Sequence, residues 1–100
     1  MVNRDLKDKL VYLFQKYPIV TVTGPRQSGK STLLRTTFPD YKYVSLEDPD
    51  VRLFVEEDPR GFLLTYPDKT IIDEAQRVPR LFSYLQTHVD KENKSGMYLL

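Results

Sequence analysis

Residues 24–31, Gly-Pro-Arg-Gln-Ser-Gly-Lys-Ser, constrain this chain more than any other stretch. Gly24, Gly29, Lys30 and Ser31 fill the four fixed positions of G-x-x-x-x-G-K-[ST], a loop that cradles phosphates. The motif requires a strand before it and a helix after it. Residues 19–23 are Ile-Val-Thr-Val-Thr, short and β-branched throughout, as a strand buried on both faces should be. Residues 30–35 contain no proline or glycine and can run on as a helix. At ordinary residue frequencies a chance match somewhere in such a chain comes to about 3 in 1,000. Phosphate binding is therefore the working expectation.

The chemistry of the loop fits a nucleoside triphosphate. Gly24 and Gly29 let the backbone curl so that its N–H groups point inward, and the helix that follows starts with unpaired N–H groups and the positive end of its dipole. Lys30 adds a mobile charge for the β- and γ-phosphates, and the Ser31 hydroxyl can sit on Mg²⁺. Gln27, Ser28 and Thr32 complete the expected set of nucleotide-binding residues.

A second cluster lies downstream. Residues 70–74, Thr-Ile-Ile-Asp-Glu, read as an apolar strand ending in two acids, with 43 residues separating Lys30 from Asp73. In a parallel sheet, functional groups gather at the C-terminal ends of strands. Asp73 is expected to hold the Mg²⁺ shell, directly or through water. Glu74 is expected to swing toward the γ-phosphate and polarise the attacking water, a catalytic role shared with the charge of Lys30.

The rest of the chain reads as scaffold. Leu6, Leu10, Leu13, Phe14 and Tyr17 define one face of a helix over 3–17, with Asn3 as N-cap and Pro18 as its stop. After a turn at Phe38-Pro39-Asp40, residues 41–46 alternate as a strand, Tyr41, Tyr43 and Ser45 on one side, Lys42, Val44 and Leu46 on the other. Asp48-Pro49 and Asp58-Pro59 mark helix starts, giving short helices near 49–57 and 60–66, the second weakened by Gly61. The acidic cluster Glu47, Asp48 and Asp50 is read as capping and solvated charge in preference to a metal site. Leu81, Leu85 and Val89, with Phe82 alongside, put a helix over 79–90, and His88, the only histidine, is read as a helix-surface residue. Residues 97–100 begin a further strand.

Composition closes off some functions. One hundred residues make one small domain. Fifteen basic residues against fourteen acidic give no bulk electrostatic grip on nucleic acid or anionic lipid. There is no cysteine, hence no disulfide framework or thiolate metal site, and no stretch reads as a membrane span or leader, so a cytoplasmic chain is expected. A protein partner or an oligomer is compatible with all of this.

Three segments, GPRQSGKSTLLR (24–35), YVSLEDPDVR (43–52) and IIDEAQRVPRLFSYLQ (71–86), together resemble a group of prokaryotic AAA-superfamily ATPases that carry this module first and continue into a C-terminal domain. The resemblance implies ATP as the nucleotide and the Asp73–Glu74 pair acting as read above. It also implies a three-layer α/β sandwich of the P-loop type with a parallel sheet, in which the 19–23 strand lies beside 97–100, then 70–74, then 41–46 at an edge. In such ATPases a Thr-Gly-Ser-type sensor, a fifth strand and an arginine finger follow the point where this sequence ends. Residues 1–100 are therefore expected to be the N-terminal part of the ATPase domain, binding ATP but hydrolysing it negligibly alone, and exposing the uncharged 19–23 strand as a sticky edge. The competing expectations are a nucleotide-gated interaction module without significant hydrolysis, a small-molecule kinase, and a helicase suggested by Asp-Glu-Ala-Gln at 73–76. The kinase lacks an evident acceptor site and gives Glu74 no task. The helicase would need far more chain between its motifs and a second motor domain.

Overall fold

The computed structural model describes the backbone of residues 4–21 and 30–100 and the side chains of 8–21 and 32–100. Among the described residues, four strands form one parallel sheet: β1 (Ile19–Val20), β2 (Lys42–Ser45), β3 (Thr70–Asp73) and β4 (Tyr98–Leu99), in the order β1-β4-β3-β2. This is the expected order. Ile19 and Val20 pair with Tyr98 and Leu99, Thr70 and Ile71 pair with the same two residues from the other side, and β2 runs alongside all four residues of β3.

Among the described residues, five α-helices cover the two faces: α1 (Arg4–Lys16), α2 (Lys30–Thr37), α3 (Pro49–Glu57), α4 (Pro59–Thr65) and α5 (Leu81–Glu92). Strand alternation sorts the side chains between two cores. Val20, Ile71 and Leu99 pack with Leu10 and Phe14 of α1 and Leu34 of α2. Val44, Leu46, Ile72, Tyr98 and Leu100 pack on the other side with Val55 of α3, Phe62 and Leu63 of α4, and Leu81, Leu85 and Val89 of α5. The chain is thus a three-layer α/β sandwich, with α1 and α2 on one face and α3, α4 and α5 on the other.

The N-terminal helix ends as Pro18 demands, but its face is narrower than the sequence suggests. Leu10 and Phe14 are buried, whereas Tyr17 lies one residue past the helix and is 54% exposed. The backbone of Tyr17 is occupied instead, its N–H donating to Leu13 O and its carbonyl accepting from Gly96. Asn3, expected as the N-cap, lies outside the described residues, as does the side chain of Leu6. Of the expected 19–23 strand, Ile19 and Val20 pair; Thr21 is exposed and outside the strand, and Val22 and Thr23 are not among the described residues. Helix α5 begins two residues later than expected because Leu81 and Phe82 first close turns onto Val78 and Pro79. It continues to Glu92 and ends at Asn93, which takes the left-handed conformation. Phe82 is 40% exposed and contributes less to the core than its position suggests.

The two Asp-Pro pairs form the predicted caps. Asp48 accepts from Asp50 N at 2.9 Å, and Asp58 accepts from Gly61 N at 3.0 Å, each with proline at the first helical position. Gly61, a weakness by helix propensity alone, is explained by the second cap. A Cβ there would stand 2.1 Å from Asp58 Oδ2, so any larger residue would make the capping carboxylate shift. His88 sits on the surface of α5, as expected, and its Nε2 lies 2.8 Å from the carbonyl of Pro67.

Gly61 and Asp58 should therefore be energetically coupled. Gly61→Ala alone should give none of the roughly 1 kcal/mol that alanine normally adds inside a helix, because it displaces the cap. Asp58→Ala should cost about 1 kcal/mol, and adding Gly61→Ala to that variant should recover most of it. Urea denaturation of the four proteins measures the cycle, and strictly additive effects would contradict it.

Candidate functional site

In an all-parallel sheet every strand delivers its C-terminal end to the same edge. The C-terminal end of β1, the turn that follows β2 and the acids at 73–74 therefore lie along one edge. Helix α2 starts from that edge at Lys30 and packs against β3. Gly24, Gln27, Ser28 and Gly29 lie outside the described residues. Lys30 and Ser31 are described in their backbone as the first residues of α2, and Thr32, one residue on, is exposed.

Asp73 is the last residue of β3 and is paired in register with Ser45 of β2. It shares the α2-facing side of the sheet with Ile71, two residues earlier. The Tyr43 hydroxyl donates to its Oδ2 at 2.5 Å, and the Asp73 carbonyl accepts from Leu46 N at 2.9 Å. Tyr43 is in turn covered by the Arg35 guanidinium from α2, 4.6 Å from the ring centroid. Ser45, the direct cross-strand neighbour of Asp73, accepts from Glu47 N at 3.2 Å.

Glu74 is not part of the strand. The sequence places it as the fifth residue of a 70–74 run, but the strand stops at Asp73 and Glu74 adopts φ 58°, ψ 36°, the left-handed region. That turn breaks strand alternation, so Glu74 need not project opposite to Asp73. A short 3-10 turn, Ala75–Arg77, follows at once, and Arg77 Nε approaches Glu74 Oε1 at 3.2 Å. The Glu74 side chain is 11% exposed, so this carboxylate is held close to the protein.

Two contacts escaped the sequence reading. Arg77 lies three residues from Glu74, a spacing that could have suggested the pair. Tyr43 shares a side with Ser45 by alternation, but its reach to Asp73 needs the β2–β3 register, which pattern alone does not supply. Of the acidic cluster, Asp48 caps α3 by accepting from Asp50 N, and Asp50 lies in the first turn of that helix. Among the described residues no group of three or more His, Cys, Asp or Glu side chains could hold a metal. A lone carboxylate at a strand end still suits Mg²⁺, which takes one or two carboxylates and fills the rest of its shell with water and phosphate oxygens. A cavity of about 450 Å³, lined by Thr32, Arg35, Thr36, Pro39, Tyr41 and Tyr43, flanks the site along α2. A larger groove of about 720 Å³ between α4 and α5 lies on the other face of the sheet, away from the acids. No described helix is long and apolar enough to cross a membrane.

The family described as AAA domain matches residues 16–100. Two curated proteins, the uncharacterized protein Rv2008c of Mycobacterium tuberculosis and the uncharacterized protein Mb2031c of Mycobacterium bovis, are each 33% identical to the chain over 101 aligned positions. Those alignments cover 98% of the chain and 22% of each relative, so the chain spans about a fifth of their length. No solved structure gives a significant match.

The left-handed Glu74 predicts an unusual mutational response. A non-glycine residue in that region costs about 1 kcal/mol or more. Glu74→Gly should leave the chain as stable or up to about 1 kcal/mol more stable, since the exposed partner Arg77 makes the lost ion pair worth little. Glu74→Val, β-branched, should destabilise it. Thermal denaturation of the two variants checks the order, and a reversal would mean that the turn is held by the Glu74 side chain itself.

Proposed function

The chain belongs to the AAA domain family, and from that premise we propose that it is the nucleotide-binding part of a Mg²⁺-dependent ATPase. The single observation that carries the reading is topological. The strand order β1-β4-β3-β2 brings the acids at 73–74 to the sheet edge from which α2, beginning at Lys30 of the phosphate-loop motif, departs. Sequence motif and sheet order reached that edge independently.

The residues divide the work. The backbone N–H groups of the 24–29 loop, with Gln27 and Ser28 among them, and of Lys30, Ser31 and Thr32 receive the phosphate oxygens. Lys30 neutralises charge at the β- and γ-phosphates in the ground state and more strongly as bond cleavage proceeds. Ser31 and Asp73 would hold Mg²⁺, which would supply positive charge to offset that of the phosphates. Glu74 aligns and polarises the attacking water. In the longer proteins of which this chain spans a part, the energy of binding and hydrolysis drives a conformational change passed to a protein partner or to another copy. The lack of cysteine is compatible with that work taking place in a reducing cytoplasm.

One observation favours a second reading. Arg77 holds Glu74 Oε1 at 3.2 Å, so the proposed water-polarising carboxylate is engaged within the protein. A nucleotide-gated interaction module, in which binding shifts a conformation and hydrolysis is slow, uses the same loop and needs no reorientation of Glu74. Phosphate release by the full-length protein separates the two readings.

Lys30→Ala should weaken ATP binding at least tenfold, about 1.4 kcal/mol. Calorimetric titration tests this, and unchanged affinity would remove Lys30 from the site. In the full-length protein, Glu74→Gln should bind ATP normally and turn it over about 10²-fold more slowly. A steady-state rate equal to wild type would exclude the water-polarising role and favour the gating reading.

A further inference from the structure

We propose that Tyr43 is the positioning residue of the metal-binding carboxylate: its hydroxyl fixes Asp73 Oδ2 and so presents Oδ1 to the Mg²⁺ shell. The inference rests on the reading of Asp73 as the Mg²⁺-shell acid.

The argument begins with register. Ser45 stands directly opposite Asp73, and Tyr43 stands opposite Ile71, one pair earlier on the same side of the sheet. A short side chain at 43 would end beside Ile71. A tyrosine spans the diagonal, and its hydroxyl arrives at Asp73 Oδ2 with a separation of 2.5 Å, the short distance typical of a hydroxyl donating to a carboxylate. The hydroxyl of Ser45, the register partner of Asp73, has its oxygen engaged by Glu47 N. Among the described residues, Tyr43 is thus the side chain that hydrogen-bonds this carboxylate.

A carboxylate with one oxygen anchored has lost its freedom to spin about Cβ–Cγ. That is what a metal-shell acid needs, because carboxylates that ligate metals are themselves oriented by hydrogen bonds from the surrounding protein. Tyr43 is itself held. Its ring packs at the margin of the α1/α2 core, and Arg35 from α2 lies over it at 4.6 Å. Arg35 belongs to the helix that opens with Lys30 and Ser31. The acid's orientation is consequently set from the phosphate-binding helix and the β2 edge together.

The test is Tyr43→Phe in the full chain, which keeps the ring beneath Arg35 and deletes one oxygen. Calorimetry gives ATP affinity in EDTA and the Mg²⁺ affinity of the ATP-bound protein. The Mg²⁺ affinity should fall about tenfold or more, with ATP affinity in EDTA and the melting temperature without nucleotide unchanged. A Mg²⁺ affinity equal to wild type, while Asp73→Asn loses the Mg²⁺ response, overturns the positioning role and leaves the ATPase reading intact. Equal weakening with and without Mg²⁺ also overturns it, since Tyr43 would then act on the scaffold as a whole. A wild-type chain without any Mg²⁺ response overturns both readings together. A second measurement needs no variant. In ring-¹³C tyrosine NMR of the wild-type chain, the Tyr43 resonance should move when Mg²⁺ is added to the ATP complex, and an unmoved resonance overturns the proposal.

Discussion

The two-sided pairing of β4 is the constraint on which the rest of the structure depends. Met97 and Tyr98 both donate to the carbonyl of Pro18, Leu100 donates to Val20, and Thr70 donates to Met97 from the opposite side. Four consecutive residues, 97–100, are buried, with Tyr98 and Leu99 fully so and facing opposite cores. Buried backbone groups must be paired, so this strand can sit only between two others. That placement separates β1 from β3 and so helps set the spacing between α2 and the acids.

The two cores built on that strand differ in character. The α3/α4/α5 side is the larger, and its polar groups are satisfied locally. The Tyr98 hydroxyl donates to Tyr66 O at 2.6 Å, and burial pushes its pKa well above the ordinary phenol value. The α1/α2 side is smaller and more aromatic, with Phe14, Phe38 and Tyr41 within 5.5 Å of one another, centroid to centroid. This aromatic side is the one that carries Tyr43 and Asp73. Rigid rings with few torsions hold a neighbouring polar group in place at low entropic cost.

The site itself combines a regular and an irregular element. Asp73 takes its direction from the strand and a hydrogen bond across the sheet, whereas Glu74 takes its direction from a left-handed residue and an arginine three positions on. Adjacent acids are thereby released from the opposite-face rule that binds neighbours in a strand. A longer strand would have sent them to different sides of the sheet.

Sequence by itself determined the elements whose causes are local. The Asp-Pro caps, the leucine spacing of α5, the alternation of β2 and the phosphate-loop motif each depend on residues a few positions apart, and each is legible in a single pass. The order of the strands was legible only through family resemblance, because pairing between β1 and β4 joins residues nearly eighty positions apart and no local pattern encodes it. Tertiary structure alone decided that Tyr17 faces outward, that Gly61 lies against the carboxylate of Asp58, and that Tyr43 reaches Asp73. Each of these turns on whether particular atoms meet in space. Local propensity says which way a backbone prefers to run, and only the packed sheet says what stands at the end of a side chain.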